Sequence, residues 1–136
     1  MHRLFLDANI LFSAAYRAGA GLTRLWQVEG IELITSDYAA QEARVNLSEE
    51  DQHWRLTHLL KSVRLVTEIA PLPPGIKLPA KDQPILQAAI QAHATHLLTG
   101  DKDHFGALFG RRPGGVLVLP PAEYFARLRR GRGTRR

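Results

Sequence analysis

Short apolar bursts alternate along this chain with stretches of helical periodicity, and that alternation constrains its fold more than any other feature. Leu4-Phe5-Leu6 sits between Arg3 and Asp7. Consecutive apolar residues bounded this tightly suit a strand buried on both faces, as in a parallel sheet. Ile31 to Thr35, the group Leu65, Val66, Thr67 and Ile69, then His96 to Thr99 and Val116 to Leu119 are further strands of the same kind. Between them lie helical patterns. Ile10 to Ala15 opens the series, Leu22, Leu25 and Trp26 give a short helix closed at Gly30, and Tyr38 to Leu47 follows a cap at Ser36 or Asp37. Ser48-Glu49-Glu50-Asp51 starts a helix whose Leu56, Leu59, Leu60 and Val63 form one apolar stripe. A further helix runs from about Asp82 to Ala94 with Pro84 in its first turn, and Pro120-Pro121 begins the last, through Tyr124, Phe125 and Leu128. Strands alternating with helices predict a parallel sheet covered on both sides. Pro71-Leu72-Pro73-Pro74-Gly75 reads as a loop between two halves, not as a domain boundary.

The 136 residues make one domain, predicted to span 1–128, followed by a basic, disordered segment at 129–136. Net charge is +5, unevenly placed: from Arg111 onward eight arginines face one acid, Glu123, giving +7 there and leaving −2 on the rest. A basic end on a slightly acidic body is a pattern of proteins that meet polyanions. The absence of cysteine excludes disulfides, thiolate metal sites and a thiol nucleophile. No apolar run approaches the roughly 18 residues of a membrane span and no signal-peptide pattern precedes Asp7, so a cytoplasmic location without membrane partners is expected. Gly19-Ala20-Gly21 lacks the lysine of a phosphate loop, and no serine occupies a nucleophile elbow.

The acids carry the functional information. Asp7 directly follows the first strand and Asp101 follows the fourth across Thr99-Gly100, which places both at the carboxyl edge of a parallel sheet, where ligands bind. Asp82 opens a helix, Glu42 lies within the helix after the second strand, and Asp103 is two residues beyond Asp101. Converging carboxylates repel by about 4 kcal/mol per close pair at an effective dielectric near 20, so they take up protons or bind a cation. Oxygen ligands favour Mg²⁺ or Mn²⁺, ions that commonly serve phosphoryl chemistry.

Three segments are similar to the PIN domain family: Phe5-Leu6-Asp7-Ala8-Asn9-Ile10-Leu11-Phe12-Ser13, Ser36-Asp37-Tyr38-Ala39-Ala40-Gln41-Glu42, and Leu97-Leu98-Thr99-Gly100-Asp101-Lys102-Asp103-His104-Phe105. The run from Lys81 to Ile90 resembles the family's third acidic motif, and Val118 to Phe125 its closing strand and helix. The resemblance covers the chain to about Leu128. It implies a three-layer α/β/α sandwich with a parallel sheet of about five strands, and a metal-dependent ribonuclease, in many relatives the toxin of a toxin–antitoxin pair. Asp7, Glu42, Asp82 and Asp101 would then be the catalytic acids holding Mg²⁺ or Mn²⁺, with Asp103 an optional fifth and with Asn9 and Thr99 orienting carboxylates. The expected partners are RNA, an antitoxin protein and further copies of the chain.

Two readings compete with a nuclease. A non-catalytic RNA-binding module on the same fold is opposed by the retention of all four acids. A phosphatase with Asp7 as covalent nucleophile would want a second acid two residues on, where Asn9 stands. Substrate contacts are expected from Lys102 and His104 and, in the basic end, from Arg129, Arg130 and Arg132. His93 and His96, three apart, end a helix and begin a strand, so shared metal ligation is not expected. Trp26 is expected in the core. Trp54 and His58 fall opposite the stripe of their helix, a placement that suits a contact with another subunit, stacking on nucleic acid, or packing under a neighbouring helix.

Overall fold

The computed structural model describes residues 1–134, with side chains through 131. Five strands form one parallel sheet: β1 (His2–Leu6), β2 (Ile31–Ser36), β3 (Arg64–Val66), β4 (His96–Leu98) and β5 (Leu117–Leu119). Their spatial order is β3-β2-β1-β4-β5. The central register pairs Leu4 with Leu33 and His96, and Leu6 with Leu98. Leu4, Phe5 and Leu6 are all fully buried, as are Leu97 and Leu98. Neighbouring residues of a strand point to opposite faces, so both faces are covered, giving the three-layer arrangement.

The helices are α1 (Ala8–Ala15), α2 (Asp37–Asn46), α3 (Glu50–Leu60), α4 (Gln83–Gln91), α5 (Lys102–Phe105) and α6 (Pro121–Thr134). The Ser36 hydroxyl caps α2 by accepting from the Ala39 N–H at 3.1 Å. At the head of α3 the Gln52 side chain reaches back to accept from the N–H groups of Ser48 and Glu49. Helix α4 ends earlier than periodicity implies, because His93 takes a left-handed backbone (φ 55°) that reverses the chain before β4. The His93 carbonyl is held there by Arg3 Nε at 2.7 Å.

Three further expectations need correction. Residues 21–27 form a 3₁₀ segment instead of an α-helix, with Trp26 half-buried against the core and its indole N–H donating to the Leu59 carbonyl at 3.0 Å. Strand β3 stops at Val66. Leu65, on this edge strand, is 46% exposed, and Ile69, read as part of the same strand, lies beyond it and is 53% exposed. The stripe of α3 also loses its last member: Leu56 is fully buried, but Val63 lies beyond the helix. Helix α6 carries the backbone on to Thr134. Arg135, Arg136 and the side chain of Arg132 lie outside the described residues. Among the described residues no helix is long and apolar enough to cross a membrane.

Candidate metal centre

The carboxyl edge of the sheet opens into a cleft of about 640 Å³ lined by Asp7, Asn9, Glu42, Lys81, Asp82 and Asp101, among others. Asp7 leaves the end of β1 and caps α1, its Oδ1 accepting from the Ala8 N–H at 2.7 Å. Its Oδ2 accepts from the Thr99 hydroxyl at 2.8 Å and from the Asn9 amide at 3.0 Å. Asn9 in turn donates to the Thr99 hydroxyl oxygen at 3.1 Å and accepts from the Gly100 N–H at 2.8 Å. The Asp101 N–H donates to the same hydroxyl oxygen at 3.1 Å. One compact network thus locks the ends of β1 and β4 together and fixes the Asp7 carboxyl.

Burial is the main reason the Asp7 carboxyl is pushed up to about 6. The hydrogen bonds from Thr99 and Ala8 oppose that rise, and the charges of Glu42 and Asp82 reinforce it. Across the cleft, the Tyr38 hydroxyl donates to the Lys81 carbonyl at 2.6 Å, tying α2 to the segment that precedes α4. Desolvation, then the charges of Glu42 and Asp82, raise the Tyr38 phenol above its ordinary value.

Asp82 does not cap the helix that it opens. Its backbone is already helical (φ −96°, ψ −17°) and its side chain makes no capping bond. The residue is only 8% exposed, and its Oδ2 is buried without a hydrogen-bond partner. Asp101 does cap: its Oδ1 accepts from the His104 N–H at 3.1 Å, and the residue also lines the cleft. His104 Nδ1 lies 2.9 Å from Oδ2 of both Asp82 and Asp101, and one ligand atom from each of the three residues falls within 4.8 Å of the others.

The expected acids therefore divide. Asp82 and Asp101 meet directly with His104, whereas Asp7 and Glu42 line the same cleft without joining that group of ligand atoms. Asp103 is exposed on α5 and is not among the residues that line the cleft; Lys102 is exposed beside it. His104, read from the sequence as a substrate contact, lies against the acids. The arginines divide too. Arg129 lines an adjoining groove with Arg17, Arg24, Tyr16 and Phe125, while Arg130 pairs with Glu123 at 3.0 Å. Lys81 and Tyr38 escaped the sequence reading as site residues. Lys81 had one available signal, its place directly before Asp82, but nothing local reveals the bond from Tyr38.

A buried carboxylate oxygen with no aligned hydrogen bond, set among further carboxylates and an imidazole and without any thiol, suits a divalent cation with oxygen and nitrogen ligands.

Comparison with known proteins agrees with this architecture. A family model described as "PIN domain" matches residues 3–103. Among solved structures, VapBC2 from Rickettsia felis bound to a DNA fragment from its promoter is similar with a TM-score of 0.63 at 14% identity, over 87% of this chain and 98% of that one. FitAB bound to an IR36 DNA fragment gives 0.53 at 19% identity over 87% and 94%. FitAcB from Neisseria gonorrhoeae gives 0.51 at 19% identity over 87% and 97%. No curated protein sequence matches the chain. With the matched region containing Asp7, Glu42, Asp82 and Asp101 on a five-stranded parallel sheet, the chain belongs to the PIN domain family.

Proposed function

We propose that this protein is a divalent-metal-dependent endoribonuclease that uses Mg²⁺ or Mn²⁺, and that it is the toxin of a toxin–antitoxin pair. The observation that carries the reading is the buried Oδ2 of Asp82, which has no aligned hydrogen bond and converges with the Asp101 carboxylate on His104 Nδ1, in a cleft shared with Asp7 and Glu42. An acid so placed is costly unless something positive completes it.

Asp82 and Asp101 would hold the ion, Glu42 would reach it directly or through water, and Asp7 would present a carboxyl that cannot turn away because Thr99, Asn9 and Ala8 grip it. When bound, the cation lowers the pKa of a water molecule and offsets charge on the phosphate oxygens. The protein then needs no nucleophile of its own. Lys81 at the rim attracts the phosphodiester, and Arg17, Arg24 and Arg129 along the adjoining groove give a single strand a basic path beside the exposed Tyr16. The likeness to VapBC2 and FitAB supports an antitoxin as protein partner. The 66% exposed Trp54, stacked on His58 at 5.3 Å, is the proposed contact to a second copy.

Asp101→Asn tests the reading because it keeps shape and removes charge. Metal-dependent cleavage of single-stranded RNA is expected to fall at least about 100-fold. Mn²⁺ is expected to raise the melting temperature of the native protein more than that of the variant. Equal shifts would remove Asp101 from the ion site.

A further inference from the structure

His104 stands closer to the two converging acids than a substrate contact requires. Its position is fixed from both sides: the preceding turn is capped by Asp101, and the following residue, Phe105, is fully buried and donates its N–H to the Asp101 carbonyl at 2.9 Å. These bonds hold the His104 backbone beside Asp101. Its Nδ1 is buried and, although 2.9 Å from two carboxylate oxygens, has no aligned hydrogen bond to either; Asp82 Oδ2 is partnerless in the same way. Close approach without alignment is unusual for a hydrogen-bonded ion pair. It is ordinary for atoms that share a ligand. Adjacent donors on an octahedral ion with bonds of about 2.1 Å lie about 3 Å apart, which is the spacing found between Nδ1 and each oxygen.

We propose that His104 is a nitrogen donor to the cation held by Asp82 and Asp101, and that it biases this site toward Mn²⁺ over Mg²⁺. The proposal rests on the cleft being a cation site, as read above. An all-oxygen set leaves Mg²⁺ and Mn²⁺ closely matched in ligand preference, whereas an imidazole favours the transition ion. His104 thus makes the metal preference of this chain a property of one side chain.

The test measures binding, not turnover. Mn²⁺ and Mg²⁺ are titrated calorimetrically into the full chain and into His104→Gln and His104→Asp, and pulsed electron paramagnetic resonance of the Mn²⁺-loaded proteins reads nitrogen coupling. The native protein is expected to show a histidine nitrogen coupled to Mn²⁺. In His104→Gln that coupling disappears and Mn²⁺ affinity falls at least about tenfold while Mg²⁺ affinity changes much less. His104→Asp, which restores a donor as oxygen, is expected to bind both ions with the ratio shifted toward Mg²⁺; circular dichroism verifies that both variants are folded. Mn²⁺ binding without nitrogen coupling in the native protein overturns the proposal and leaves the nuclease reading intact. Tighter binding of both ions after removal of the imidazole also overturns it, since His104 would then be a bridge that the cation displaces. Failure of the native chain to bind either ion overturns both readings.

Discussion

Strand β1 runs from one edge of the sheet to the other, and its two ends meet opposite electrostatic problems. At the amino edge, His2 Nδ1 lies 2.8 Å from the hydroxyl of the buried Tyr124. His96 packs 4.5 Å from the His2 ring and edge-on to Tyr124 at 5.1 Å, with its Nδ1 2.8 Å from the Thr95 hydroxyl. Burial, aided by the nearby charges of His2, Arg112 and Arg127, pushes His96 down to about 4. At the carboxyl edge, burial pushes the Asp7 carboxyl up to about 6. Both edges resist buried charge, yet only one is closed. The bases at the amino edge have hydrogen-bond partners or aromatic neighbours, whereas Asp82 Oδ2 at the carboxyl edge has no aligned hydrogen bond, although His104 Nδ1 lies 2.9 Å away. A satisfied polar cluster holds a fold together; an unsatisfied one waits for a ligand.

The largest expected difference between the edges is in activity. Asp82→Asn should lower metal-dependent RNA cleavage at least about 100-fold, whereas Tyr124→Phe, which loses only the hydroxyl, should leave single-turnover cleavage unchanged and cost about 1 kcal/mol of stability by denaturant titration. Comparable losses of cleavage in the two variants would mean that the edges are coupled and that the comparison fails.

Next in size is a pH effect on the metal-free protein. His96 has an ordinary value of 6.5, so below it the unfolded chain takes up the proton first, and stability is lost as pH falls toward 4. Asp7 has an ordinary value of 3.8 and a folded value of about 6, so the folded chain takes up that proton first, and stability is gained as pH falls through 6 toward 3.8. The two slopes oppose each other over nearly the same window, and the native profile should be shallow there. His96→Phe removes one of them. Its stability should rise on acidification from pH 7 to 4, by up to about 3 kcal/mol from Asp7. A variant profile that overlays the native one would show that His96 is not held neutral.

The smallest effect should come from a surface belonging to neither edge. Trp54→Ala removes an exposed ring and should change chain stability by no more than about 0.5 kcal/mol, while lowering the particle mass in light scattering. An unchanged mass would remove Trp54 as the contact to a second copy.

Much of the frame was legible from sequence because buried parallel strands are written as consecutive apolar residues, as in Leu4-Phe5-Leu6 and Leu97-Leu98. The same rule misleads at Leu65, which an edge strand leaves in water, and at Ile69, which lies exposed beyond that strand. The positions of the acids at strand ends were equally readable, since Asp7 and Asp101 need only β1 and β4 to be placed. Asp82 was singled out only through the resemblance to the family's third acidic motif, since its local pattern fits a helix cap equally well. A helix-opening aspartate ordinarily caps, and only the local backbone, already helical at that residue, turns its carboxyl to other use. His104 shows the same boundary. One helical turn from Asp101 is a local fact, but the approach to Asp82 is made by the fold.

The strand order has a consequence for how the site comes into being. Leaving β1, the sheet grows outward through β2 and β3; the chain then returns to lay β4 and β5 on the other flank. Asp7 and Glu42 belong to the first excursion, Asp82, Asp101 and His104 to the second. The two halves meet through the bond from Thr99 to Asp7, which joins residues 92 positions apart. Loop-closure entropy places so non-local a contact late, after each flank has its own local structure. A chain severed in the proline-rich connection would therefore carry Asp7 and Glu42 on one piece and Asp82, Asp101 and His104 on the other, and the full cleft would form only when β4 docks against β1.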